Sequence, residues 1–207
     1  MTSTPQRWQF TGRIAGVGSV SGVRVVVGDW DDSPLGSFAD AMVERADGHR
    51  VLIAPRQDVA DFVASTYDFD EVRVEPLEAI TAETWMTFAS TSLSLAIGLG
   101  PRPLLGWALR MVPRPVATSP LWCAVTDPVA RTLVRGVRTR GRTGSGPDAR
   151  REWYGATDHH RVASLAGWFD GSPVGGLAPV QPPASFGFSS SPTTPSVTQL
   201  VTTVETR

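Results

Sequence analysis

All three histidines of this sequence fall in two short strings that echo each other. Asp47-Gly48-His49-Arg50-Val51 is matched by Asp158-His159-His160-Arg161-Val162. Imidazole titrates near neutrality, and a carboxylate beside it can orient the ring for proton transfer. That makes His49 with Asp47, and His160 with Asp158, the candidates for acid–base catalysis of the hydratase or isomerase type. Arg50 and Arg161, next in each string, would face an anionic group. A second echo sets Trp30-Asp31-Asp32-Ser33-Pro34-Leu35-Gly36 beside Trp168-Phe169-Asp170-Gly171-Ser172-Pro173-Val174-Gly175, with one insertion. Trp30 and Trp168 are thereby candidates to line the apolar side of a pocket. The order of the echoes is reversed between the two halves, so a tandem duplication is not supported. The plainer reading of both strings is turn chemistry, because Asp and Ser-Pro start tight turns. Function requires the two imidazole-bearing turns to meet at one end of the fold.

Several chemistries are closed to the chain. Its 19 basic residues are all arginine, so it has no lysine for a P-loop, a Schiff base or a kinase strand. Cys123 is the one cysteine, which excludes an internal disulfide, a four-cysteine zinc site and a C-x-x-C pair. Its setting, Leu121-Trp122-Cys123-Ala124-Val125, predicts a buried, inert thiol. No Gly-x-Ser-x-Gly string occurs, so the nucleophile elbow is absent. Adjacent His159 and His160 point to opposite faces of an extended segment, and no metal site or cofactor is expected.

Net charge is −1, with 41% apolar and 19% charged residues, in the range of a globular domain. The charge is unevenly spread. Residues 1–80 hold 13 carboxylates against 7 arginines, and residues 81–207 hold 7 against 12. Opposite halves would attract within one molecule or between copies, which keeps a self-associating interaction subunit in view. The Arg/Gly-rich stretch 135–151 lacks interleaved aromatics, so a flexible solvated loop is expected there rather than a nucleic-acid arm. Residues 1–7 lack an apolar signal core, and the expectation is a cytoplasmic protein. The longest apolar stretch, Leu93 to Val112, is broken by Pro101, Arg102, Pro103 and Arg110, so it does not span a membrane.

The clearest positioning element is a hairpin over 37–54. Phe38, Asp40, Met42 and Glu44 alternate against Ala39, Ala41 and Val43, Asp47-Gly48 turns, and Val51-Leu52-Ile53-Ala54 returns. Strands are expected at 7–15, 22–28, 71–75, 85–98 (one or two), 152–155, 161–168, 184–188 and 196–204. Gly16 to Gly22 superficially suggests a phosphate cradle, but β-branched Val25-Val26-Val27 follows it where a helix is needed. Apolar spacing predicts short helices over 56–66 and 104–112, and Ser119-Pro120 and Asp127-Pro128 each carry a helix-start signature, the second for a helix over 128–135. Residues 171–183 read as a Pro/Gly-rich connection. The face buried by 196–204 is ambiguous, since apolar and polar residues occupy both of its faces.

The string from Phe38 through Val74 resembles an uncharacterised protein family of GC-rich bacteria, a resemblance that implies no activity.

The whole is a mainly β, antiparallel single domain over 1–207, with about ten strands and three short helices, curled into a partly closed barrel or sandwich. Its leading functional reading is a soluble domain that binds a small amphipathic or anionic molecule, with Arg50 and Arg161 at the polar end and Trp30 and Trp168 along the apolar body.

Overall fold

The computed structural model describes residues 6–124, 126, 140–143, 150–184, 186–187 and 191–206. Its framework grows from the expected hairpin. Strands β3 (Phe38–Glu44) and β4 (Arg50–Ala54) pair antiparallel, with Val43 opposite Val51 and Glu44 opposite Arg50. Gly48, at φ 89°, makes the turn between them, a region that side chains with a Cβ avoid. The run Val51-Leu52-Ile53-Ala54 is apolar throughout because both faces of the sheet are covered there. Val51 and Ile53 belong to the main core, while Leu52 and Ala54 pack under a helix.

That helix is α1 (Gln57–Ala64), which buries Val59, Ala60 and Val63 at helical spacing. It leads to β5 (Glu71–Val74), which pairs with β4 in parallel, Val51 to Glu71 through Ala54 to Val74. Purely antiparallel connectivity is the one expectation this pair corrects. A helix between two neighbouring strands carries the chain back to the starting end, so the second strand runs parallel to the first.

The remaining strands are β1 (Gln6–Ser19), β2 (Arg24–Asp32), β6 (Glu78–Thr81), β7 (Trp85–Ala89), β8 (Leu93–Leu99), β9 (Arg140–Thr143), β10 (Arg150–Phe169), β11 (Ser172–Pro173), β12 (Leu177–Ala178) and β13 (Ser196–Thr206). Together they form one 13-stranded sheet with main order β5-β4-β3-β2-β1-β13-β10-β8-β7-β6. All its described pairings except β4–β5 are antiparallel. The end strands β5 and β6 are not hydrogen-bonded to each other, so the barrel stays open. It curls far enough for the Thr81 hydroxyl on β6 to donate to Asp29 on β2 at 2.7 Å. Inside the curl, Val17, Val27, Ala41 and Ile53 from one half meet Met86, Phe88, Leu95 and Ile97 from the other. The mainly β, partly closed architecture read from the sequence is what the chain adopts.

β10 departs most from expectation. Residues 152–155 and 161–168 are parts of one 20-residue strand, and Asp158-His159-His160-Arg161 is strand, not turn. The strand pairs with β13 as far as Arg161 and with β8 from Val162 onward, with irregularities at 156–158 and 162–164 where it bends. Bulges let a single strand change partners without a turn. The stretch at 85–98 is two strands, β7 and β8, and β6 was not anticipated. Ala184, Phe186 and Gly187 are not strand, so no hairpin joins 184–188 to β13 among the described residues. The 171–183 connection contains the two-residue strands β11 and β12. Residues 140–143 of the Arg/Gly-rich stretch are strand, paired with β10, while 135–139 and 144–149 lie outside the described residues, as does the helix expected over 128–135.

α2 (Leu104–Met111) and α3 (Arg114–Ala117) follow β8, and a further helix opens at Pro120 with Ser119 Oγ accepting the Trp122 N–H at 3.2 Å. The apolar stripe of α2 is not its contact face: Leu104 is 88% exposed and the buried position is Gly106. Absence of a side chain at Gly106 lets the helix close onto the β10 backbone, where a Cβ would come within 2.2 Å of the His159 carbonyl. No helix among the described residues is long and apolar enough to cross a membrane.

Candidate functional site

The two histidine strings do not form a shared site. In the sheet, β4 and β10 are separated by β3, β2, β1 and β13. His49 follows the hairpin turn, with Nε2 3.3 Å from Glu71 Oε2 and its backbone N–H donating to Asp47 Oδ1. Arg50 forks onto Asp70 with two contacts of 3.0 Å. That bidentate pairing, added to a backbone N–H bond from Arg50, holds the Asp70 carboxyl down at about 2. Arg50 also lines a shallow polar cleft with Asp68 and Phe69. On β10, Asp158 is buried and grips Arg102 at 2.7 and 2.9 Å, and Arg102 lies 4.6 Å from the Trp107 ring centre. These contacts anchor α2. His160 Nδ1 meets the Gly100 carbonyl at 3.2 Å, and Arg161 is exposed. His159 lies 2.9 Å from Thr198 Oγ1, and burial lowers its pKa, with His160 adding to the shift.

The hairpin turn does meet part of the second echo. Arg45 and Arg73 both bond Asp170, and both guanidinium groups sit 5.5 Å from the Phe169 ring centre. The ion pairs that join the two halves therefore run from arginines of the acidic half to carboxylates of the basic half, here and at Arg7–Glu205.

A different set of residues encloses a chamber. It lies on the sheet face opposite the main core, beneath α1, with a volume of about 60 Å³. The phenyl rings of Phe10, Phe38 and Phe62 and the Trp30 indole wall it, Phe10 and Phe62 having centroids 4.9 Å apart. Its polar groups among the described residues are Asp40, Glu152, Thr66, Tyr67, Tyr154 and Thr202. Strand register puts them together: Asp40 is opposite Gly28, Tyr154 is opposite Thr202, and Thr202 is opposite Phe10, all on one face. Gly28 is required by this arrangement. A Cβ there would lie 2.4 Å from Asp40 Oδ1 and 2.5 Å from Trp30 Nε1, the two atoms that hydrogen-bond at 2.8 Å.

Asp40 is 5% exposed, and Oδ1 accepts from Trp30 while Oδ2 has no hydrogen bond among the described residues. Burial in this apolar wall pushes its carboxyl up to about 6, against the opposing pull of the indole N–H. The Tyr67 and Tyr154 hydroxyls are 2.8 Å apart, and Tyr154 donates to Glu152 Oε2 at 3.1 Å. Burial raises both phenol pKa values far above neutrality, so both hydroxyls stay protonated. Thr202 Oγ1 is buried with no hydrogen-bond partner among the described residues. Among the described residues no Arg or His lines the chamber.

Of the expected ligand-binding residues, Trp30 lines this chamber and Arg50, Arg161 and Trp168 do not. Trp168 lies on β10 opposite Ser94 and Pro173, 37% exposed. Among the described residues the polar groups of the chamber are carboxyl, phenol and hydroxyl, not guanidinium. Asp40 was visible as a carboxylate on the same strand face as Phe38 and Met42, but a polar residue at an alternating position usually faces water. Cys123 is buried, and burial pushes its thiol up to about 11, leaving it inert near neutral pH. Among the described residues no three His, Cys, Asp or Glu side chains are grouped to hold a metal ion.

No family model and no curated protein matches the chain. Among solved structures, an acetoacetate decarboxylase aligns over 96% of this chain and 86% of its own, with 6% identity and a TM-score of 0.48. Acetoacetate decarboxylase from Legionella pneumophila aligns over 97% and 85%, with 8% identity and a TM-score of 0.44. Both likenesses are too remote to transfer chemistry.

Proposed function

We propose that this protein is a small-molecule-binding β domain whose ligand occupies the chamber beneath α1. The ligand is amphipathic, with a short apolar body against the aromatic wall and a polar end at Asp40. One observation carries this reading. Asp40, 5% exposed, lines an apolar cavity together with Thr202, whose Oγ1 is buried without a hydrogen-bond partner among the described residues. Burying an unmatched polar atom costs roughly 1–3 kcal/mol, a penalty that a bound group would remove. Pockets of this kind, apolar with a few convergent polar atoms, are the common form of ligand sites. Phe62, Trp30 and Met42 are only half-buried, so the chamber opens to solvent between α1 and the sheet.

The chamber speaks against the anionic half of the expectation, because an anion would meet Asp40, and among the described residues no cationic side chain lines the wall. It also gives the histidine-based hydratase or isomerase no role, since neither His49 nor His160 lines it.

The test is thermal denaturation of the full chain with n-alkanols of three to six carbons. Stabilisation that peaks at one chain length in wild type and disappears in Val204→Phe, which fills the chamber, is the expected result. No stabilisation by any alkanol, or equal stabilisation of the filled variant, would overturn the reading.

A further inference from the structure

We infer that the chamber selects a small organic cation, a primary ammonium on a short alkyl stem, and that Asp40 is its counter-charge. This rests on the chamber being a binding site and goes on to name the class of ligand.

Three features of the geometry converge on that class. Asp40 lines the cavity with its Oδ2 making no hydrogen bond among the described residues, and Thr202 Oγ1 supplies a second buried oxygen without a partner there. An ammonium carries three donors and no acceptor, so it matches a site of acceptor oxygens. Phe10, Trp30, Phe38 and Phe62 then present aromatic surface to the cation, which favours positive charge through the ring quadrupole. A volume of about 60 Å³ takes roughly four or five atoms of water size, the size of a propyl or butyl ammonium. A carboxylate ligand of the same length would place like charge beside Asp40.

Protonation of Asp40 competes with such a ligand. The titratable groups facing Asp40 across the chamber are Tyr67, which follows α1, and Tyr154 and Glu152 on β10, while β2 contributes the neutral Trp30. Both phenols stay protonated through the neutral range, so they add no competing charge there. With the Asp40 carboxyl pushed up to about 6, a cation binds tightly above that pH and progressively less well below it.

The experiment compares n-butylammonium, n-butanol and butyrate by titration calorimetry on the full chain. At pH 8 butylammonium should bind at least tenfold more tightly than butanol, and butyrate should not bind. Butylammonium affinity should fall about tenfold for each pH unit below about 6, while butanol affinity stays level. Asp40→Asn should remove the ammonium preference and keep butanol binding. The pH series on wild-type protein needs no variant to fold. Equal affinity for ammonium and alcohol at pH 8, or a flat ammonium profile, overturns the cation assignment and leaves the binding chamber standing. Absence of binding by all three ligands overturns both readings.

Discussion

The phenol oxygens of Tyr67 and Tyr154 lie 2.8 Å apart, although 87 residues separate them in the chain. Tyr67 comes just after α1 and Tyr154 sits on β10, so this contact ties the roof of the chamber to its floor. Tyr154 also donates to Glu152 at 3.1 Å, which makes it the middle of a three-member chain. Tyr67→Phe should therefore cost about 1 kcal/mol, and Tyr154→Phe somewhat more. In a double-mutant cycle the pair should couple by about 0.5–1.5 kcal/mol. Urea denaturation of the three variants measures this, and additive losses would show that the hydroxyls do not interact.

Asp40 should imprint a slope on stability against pH. Its carboxyl titrates at about 6 in the folded chain against an ordinary 3.8. Between those values the folded state binds more proton than the unfolded one, so stability falls as pH rises through that window and is level above it. The expected loss is on the order of 3 kcal/mol. Asp40→Asn lacks this contribution, so the difference in urea midpoint between wild type and variant should change from about pH 4 to about pH 6 and then flatten. The Asp70 carboxyl, held at about 2 by Arg50, acts in the opposite sense and only at lower pH, where stability is lost as it protonates. A wild-type-minus-variant difference independent of pH would contradict the burial of Asp40.

Arg24 and Glu44 form an ion pair at 2.7 Å with side chains 5% and 9% exposed, between β2 and β3. Removing one partner leaves a charge in the interior, so Arg24→Met alone should cost about 3–5 kcal/mol. The double change Arg24→Met with Glu44→Leu should recover most of that, because two apolar side chains need no counter-charge. Chemical denaturation of both variants decides it; a double variant as weak as the single would mean the pair contributes more than mutual neutralisation.

Gly106 sets how closely α2 lies on β10. In Gly106→Ala the new methyl would meet the His159 carbonyl, which is backbone and cannot rotate away. The helix must lift, at about 1–3 kcal/mol. Trp107, one residue on and against Arg102, should report the movement as a change in fluorescence, while Asp40-dependent titration in the chamber stays as in wild type. Unchanged fluorescence would mean that the strand gives way instead.

Much of the scaffold is written locally. Asp47-Gly48 supplies the positive φ of the hairpin, the alternation around it supplies two strands, and Val59, Phe62 and Val63 supply the helix between β4 and β5. These follow from residues a few positions apart, whose conformational preferences act before any long-range contact exists. The long strand β10 escaped because Asp158, which resembles a turn residue, is satisfied by Arg102, far away in the chain and just ahead of α2. A side chain so engaged no longer competes for its own backbone.

The chain itself therefore determines that this is a mainly β protein without lysine or disulfide chemistry, since composition and period-two patterning need no third dimension. Only the tertiary structure decides which acids matter. Asp40, Glu152, Tyr67 and Tyr154 come from three separated segments and meet because strand pairing brings β3, β2, β1, β13 and β10 side by side beneath α1. Whether a carboxylate faces water or an aromatic wall depends on what covers that face of the sheet. That cover is a helix whose docking depends on contacts with strands from both ends of the chain.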